Sequence, residues 1–183
     1  MTDAATTLEP PVEATTPDGA SAIPTRRDEG LVDAIPDSEQ VELLSFTMDG
    51  QYYAVDIMLV REIRGWSKPT PLPHAPDYMR GVINLRGTVL PILDLSARLN
   101  GKETEAGARN VIIVIEAEDQ IAGLLVDAVS DILTLKREEM QPPPEMPGER
   151  VENFIETLTI VEGDMVRTLD MKALLKSANE SMP

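Results

Sequence analysis

The chain has 183 residues, 42% of them hydrophobic but only 3% aromatic, so it suits one domain, or two small intimately packed ones, around an aliphatic core. Cysteine is absent, which excludes disulfides, thiolate metal sites and cysteine nucleophiles and fits a reducing compartment. A formal net charge of −16 with no basic run argues against nucleic acid and anionic membranes as partners, no apolar run approaches the ~20 residues of a membrane span, and the first residues lack a signal peptide's basic start and apolar stretch.

Residues 1–40 carry nine acids, two arginines and no aromatic residue, and nothing in them repeats with a helix or strand period. Such a segment buries too little apolar surface to offset an ordering cost of ~1–2 kcal/mol per residue, so the reading is a disordered acidic tail. From Val41 to about 176 the chain reads as folded, with 177–183 a C-terminal tail. Leu44, Phe46 and Met48 alternate with polar neighbours, Asp49-Gly50 follows, and Tyr53, Val55 and Ile57 alternate again, which predicts a hairpin. The spacing of Ile57, Leu59, Val60 and Ile63 predicts a short helix ended by Gly65. Lys68–Pro76 is a proline-rich extended crossing holding the single histidine, His74.

Thr88–Leu95 reads as a strand, placed at a sheet edge or bulged because Pro91 donates no ladder hydrogen bond. A helical turn is expected over Leu95–Leu99. Apolar runs at Val111–Ile115, Ile121–Val126 and Val129–Leu135 are three further strands. Residues 140–148 form a stiff extended loop. Phe154–Ile160 and Met165–Leu169 make a last pair of strands, and Asp170 caps a C-terminal helix. Many short strands with few helices argue for an all-β barrel or sandwich, and the gaps are too short for crossover helices. No internal repeat aligns.

Functional chemistry is sparse. No nucleophile stands with a base, no phosphate loop occurs, and Asp94, Asp127 and Asp131 lack calcium-loop spacing, so turns and caps are their default. His74, alone between prolines, reads as a loop residue. Glu62 and Arg86 are either one surface ion pair or two solvated charges. Gly81 and Gly87 either turn the chain or admit a second backbone. Val60, Ile63, Leu85 and Ile132 are either core or the lining of a groove, which demands the same residue types.

Three segments, Val60–Gly65 (VREIRG), Arg80–Leu95 (RGVINLRGTVLPILDL) and Ile121–Leu135 (IAGLLVDAVSDILTL), resemble the CheW family in order and spacing. The resemblance spans about residues 41–175. It implies two small SH3-like five-stranded β-barrels packed on a shared apolar core, with short helices including a C-terminal one. It also implies a cytoplasmic, non-enzymatic scaffold without cofactor or metal. Its expected partners are the cytoplasmic tip of a methyl-accepting chemoreceptor and the regulatory domain of the CheA histidine kinase, itself CheW-like, with which the family assembles in rings. By matching motif positions the interface residues are Val60, Glu62, Ile63, Gly81, Leu85, Arg86, Gly87, Val111 and Ile132.

Two places depart from the family pattern. Phe154-Ile155-Glu156-Thr157 stands where aromatic-Ile/Leu-x-Gly is usual, and Arg167-Thr168 interrupts an otherwise apolar strand. The alternatives are a CheW-like adaptor of another pathway, such as type IV pilus motility, or a small-ligand-binding β-barrel.

Overall fold

The computed structural model describes residues 40–144 and 154–180. All of the expected disordered tail except Gln40, which begins a strand, and part of the proline-rich loop therefore lie outside the described residues. Among the described residues ten strands form two five-stranded sheets, and two α-helices accompany them. The first sheet, barrel A, has the order β8 (Ala128–Lys136), β1 (Gln40–Met48), β2 (Gln51–Asp56), β10 (Asp164–Leu169), β9 (Ile155–Val161). The second, barrel B, has the order β3 (Val60–Gly65), β6 (Val111–Ala117), β7 (Gln120–Val126), β5 (Thr88–Asp94), β4 (Met79–Leu85).

Each sheet closes through the segment that follows its edge strand. After β3, Thr70 bridges Val82 on β4; after β8, Gln141 bridges Leu158 on β9. Gly81 makes the first closure possible. Its φ is +125°, and a Cβ there would sit 2.1 Å from the Thr70 carbonyl oxygen, so no other residue fits without displacing the bridging backbone.

The two barrels have one plan. The four hairpins turn on two residues with positive φ: Asp49-Gly50, Arg86-Gly87, Glu118-Asp119 and Glu162-Gly163. This geometry matches the strand twist, and glycine supplies it without strain. Gly87 precedes Asp94 by as many residues as Gly163 precedes Asp170. Asp94 caps α1 (Leu95–Asn100) through the Ala97 amide, and Asp170 caps α2 (Met171–Glu180) through the Ala173 amide. The Asp94 amide donates to the Tyr78 carbonyl, and the Asp170 amide to the Phe154 carbonyl. A tandem repeat is thus present, Leu93-Asp94-Leu95-Ser96-Ala97-Arg98-Leu99 against Leu169-Asp170-Met171-Lys172-Ala173-Leu174-Leu175. It escaped sequence reading because only scattered positions match. The repeats interlock: barrel A takes β1 and β2 from the first and β8, β9 and β10 from the second, while barrel B takes the rest.

Strand alternation divides the apolar residues among three clusters. Leu44, Phe46 and Met48 of β1, and Ile113 and Ile115 of β6, face a large core shared by the barrels and covered by Leu95 and Leu99 of α1 and Met171, Leu174 and Leu175 of α2. Ile112, Val114, Leu90, Ile92 and Leu125 fill barrel B. Leu43, Ala54 and Val166 fill barrel A. At the joint the Arg98 guanidinium lies 4.5 Å from the Tyr78 ring centre and 4.7 Å from that of Phe154, two equivalent aromatics of the repeat.

Three expectations are corrected. Ile57–Ile63 is not a helix: a single 3-10 turn, Ile57–Leu59, capped by Asp56, leads directly into strand β3. The i+3 spacing comes from that turn plus a bulge between Val60 and Glu62. Strand β5 is interior, not an edge, and the β4–β5 irregularity falls between Met79 and Gly81 rather than at Pro91. Pro91 is tolerated because the β7 ladder begins only at Ile92, while its β4 neighbour Val82 directs its own amide and carbonyl outward to Thr70. Helix α2 runs to Glu180 with Ala178 buried, past the boundary expected at 176.

Candidate interaction site

Strands β3 and β8 are the equivalent edges of the two barrels, and they carry the candidate site. Val60 lies opposite Ile115, and Val129 opposite Phe46; Ile63 lies opposite Ile113, and Ile132 opposite Leu44. All these partners belong to the shared core. Val60, Val129 and Val111 pack against that core, while Ile63 (47% exposed) and Ile132 (59%) point from the same faces into solvent. Two exposed isoleucines, one per barrel, therefore flank a strip of half-buried valines. An exposed β-branched pair over a buried layer is a surface suited to an apolar partner.

Beside this strip lies the ion pair. Arg86 Nη2 is 2.9 Å from Glu62 Oε2, and Arg64 approaches the other Glu62 oxygen at 3.8 Å. Arg86 occupies the first position of the β4–β5 turn with φ of 52°, and the Gly87 amide donates to the Asn84 side chain at 2.8 Å, fixing the turn. The pair joins β3 to the tip beyond β4, the opposite edges of one sheet, so it also marks the closed mouth of barrel B. On the outer side Arg61 pairs with Glu116 at 2.6 Å, which holds the Glu116 carboxyl below its usual range and the Arg61 guanidinium above its own.

The other expected site residues are dispersed. Leu85 packs partly into the barrel B core. Gly87 turns the chain and Gly81 admits the Thr70 backbone, so each reading of the glycines holds at a different position. His74 lies in an exposed loop with φ of 60°. Asp127 accepts from the Asp49 amide at 2.8 Å, a strand-end brace. Asp94 is fully buried and holds Arg80 and Thr104. Among the described residues no group of three carboxylate or histidine side chains converges as metal ligands. Sequence reading missed Val129, the twin of Val60; only the repeat register identifies it.

A CheW-like domain model matches residues 42–179. The chain belongs to the CheW-like domain family. A chemotaxis protein CheW of Rhizobium meliloti is 47% identical over 136 residues, 74% of this chain and 88% of the relative. A probable chemotaxis protein CheW of Rhizobium etli is 48% identical over 133 residues, 73% of this chain and 86% of the relative. The crystal structure of the scaffolding protein TtCheW from Thermoanaerobacter tengcongensis superposes with a TM-score of 0.67 at 27% identity, covering 72% of this chain and 89% of that one. The likeness confirms two SH3-like barrels, and CheW membership carries a chemotaxis scaffold role. No helix among the described residues is long and apolar enough to cross a membrane.

Proposed function

We propose that this protein is a cytoplasmic, non-enzymatic scaffold that couples methyl-accepting chemoreceptors to the CheA histidine kinase. The receptor tip would lie along the strip bounded by Ile63 and Ile132, with Val60 and Val111 beneath it and the Glu62–Arg86 pair at its flank. The observation that carries the reading is the symmetric exposure of those two isoleucines above the shared core. An amphipathic helix laid on such a strip is held by a few apolar anchors and oriented by polar contacts at the rim. Coupling further requires that each partner's state alter the other's affinity, so the kinase engages a different face.

The test uses Ile63→Glu and Ile132→Glu, both at exposed positions and so compatible with folding. Co-sedimentation with receptor-containing membranes should fall at least tenfold for each. Titration with the kinase regulatory domain should stay within twofold of wild type. Receptor binding unchanged in both variants would remove the strip from the interface. Loss of both partners in a folded variant would refute separate faces.

A further inference from the structure

We propose that the mouth of barrel A is a socket for an arginine presented by a partner protein. The basis is a broken equivalence between the barrels. In barrel B, Arg86, from the first position of its hairpin turn, pairs across the mouth with Glu62 of the edge strand. In barrel A the same two places are held by Glu162 and Asp131. Where one barrel has a carboxylate with its guanidinium, the other has two carboxylates. Asp164 adds a third, and among the described residues no cation pairs with any of them.

This mouth is a cavity, lined by the three acids together with Tyr52, Leu133 and Val166. Asp131 is rigidly placed, because its amide donates to the Ser45 hydroxyl at 3.0 Å and its carbonyl accepts from that hydroxyl at 2.7 Å. Behind the lining residue Val166 is Thr159, 4% exposed, whose hydroxyl has no hydrogen-bond partner. It lies directly opposite Val166 in the β9–β10 ladder, so its side chain shares the inner face that lines the cavity. A buried hydroxyl without a partner is costly, and a ligand donor reaching it removes the cost.

Anionic rim and apolar and aromatic wall, with an unpartnered hydroxyl on the same inner face behind Val166, together describe a guanidinium site. Arginine is planar, weakly hydrated, rich in donors along its edge and content against a ring face, whereas an ammonium uses only the charge. Tyr52, exposed at the mouth, extends the contact to an apolar neighbour of the arginine and favours a polypeptide over the free amino acid. A second copy of this chain would bring its own net charge of −16 against this acidic mouth, which disfavours it as the source.

The full-length protein is titrated, with amide NMR detection, against the peptide acetyl-Ile-Asn-Leu-Arg-Gly-Thr-Val-amide, which copies the turn that closes barrel B, and against its citrulline counterpart. Shifts should map to residues 130, 131, 133 and 161–166, weaken with added salt, and require at least tenfold more citrulline peptide. Glu162→Arg should rebuild the internal pair with Asp131 and lower peptide affinity at least tenfold in a folded protein. The milder Glu162→Gln should cause a smaller loss. Equal binding of the citrulline peptide, wild-type affinity in Glu162→Arg, or shifts confined to the strip of Ile63 and Ile132 would each overturn the socket. Concentration-dependent shifts of the same amides without peptide would identify a second copy as the arginine's source and overturn the assignment to a partner protein. Neither receptor nor kinase enters this titration, so it stands or falls separately from the scaffold assay.

Discussion

Barrels A and B share strand order, turn geometry and helix caps, yet their interiors are built from different chemistry. Barrel B buries Ile92, with Ile83 half-buried beside it, where barrel A has Thr168 and Thr159. Val114 in barrel B corresponds to Ser45 in barrel A. Three hydroxyls of barrel A, on Thr157, Thr159 and Thr168, lack any hydrogen-bond partner. The polar contrast extends to the cap. Asp94 of barrel B receives Arg80, the Thr104 amide and hydroxyl and the Ala97 amide, stapling a loop to the barrel, whereas Asp170 of barrel A receives Ala173. One backbone plan thus supports an apolar, braced barrel and a softer one with a more polar interior. The fold tolerates that difference because the shared core, common to both, supplies most of the packing.

Breaking the brace should have the largest effect. Asp94→Ala removes the helix cap together with the acceptor for Arg80 and for the Thr104 amide and hydroxyl, leaving Arg80 on Glu103, and should cost about 3 kcal/mol, whereas Asp170→Ala removes a simple helix cap and should cost about 1 kcal/mol. Chemical denaturation of the two variants measures this, and equal costs would erase the proposed asymmetry. Next come the interiors. Ile92→Thr should destabilise by about 2–4 kcal/mol through lost packing and a buried hydroxyl. Thr168→Val should stabilise by about 1 kcal/mol, because it removes a hydroxyl that bonds to nothing. If the valine variant melts lower than wild type, Thr168 has an unseen partner and the softness of barrel A is overstated.

Smaller effects belong to the surface. Arg86→Ala should change stability by only about 0–1 kcal/mol, since Arg86 is 83% exposed, while weakening receptor co-sedimentation. A large fall in thermal midpoint would instead make the pair a structural closure of barrel B. The smallest effect concerns Glu116. Its depressed carboxyl pKa means that the contact with Arg61 favours the fold above the unfolded-state pKa and is lost as pH falls through the folded value. In Arg61→Ala the Glu116 carboxyl should titrate at higher pH by NMR. An unchanged titration would show that the two side chains do not meet in solution.

Much of this was legible in the residues. Asp49-Gly50 between alternating runs marked a hairpin, Asp170 marked a cap, and VREIRG with NLRG marked the family. The strand at Val60 was not legible, because a 3-10 turn followed by a bulge imitates helical spacing at Ile57, Val60 and Ile63. Pro91 misled for a related reason: a proline fits an interior strand when its neighbour's ladder has not yet begun. The departures from family pattern acquire physical roles only in three dimensions. Arg167 lies 5.6 Å from the Tyr53 ring centre, and Glu156-Thr157 occupy the places held in barrel B by Arg80-Gly81. Pairing of Glu62 with Arg86 could not be inferred from spacing, since it depends on sheet closure.

The interlocked repeats also set an order of events during synthesis. All five strands of barrel B lie between residues 60 and 126 and can assemble as soon as β7 leaves the ribosome. The hairpin of β1 and β2 is made first yet must wait, unpaired along one edge of each strand, until β8 and β10 arrive. Its partners are distant in sequence, Ser45 and Asp131 being 86 residues apart, so this closure is the slow, late step. The exposed Tyr52 edge is therefore the segment that most needs protection while the chain is still growing.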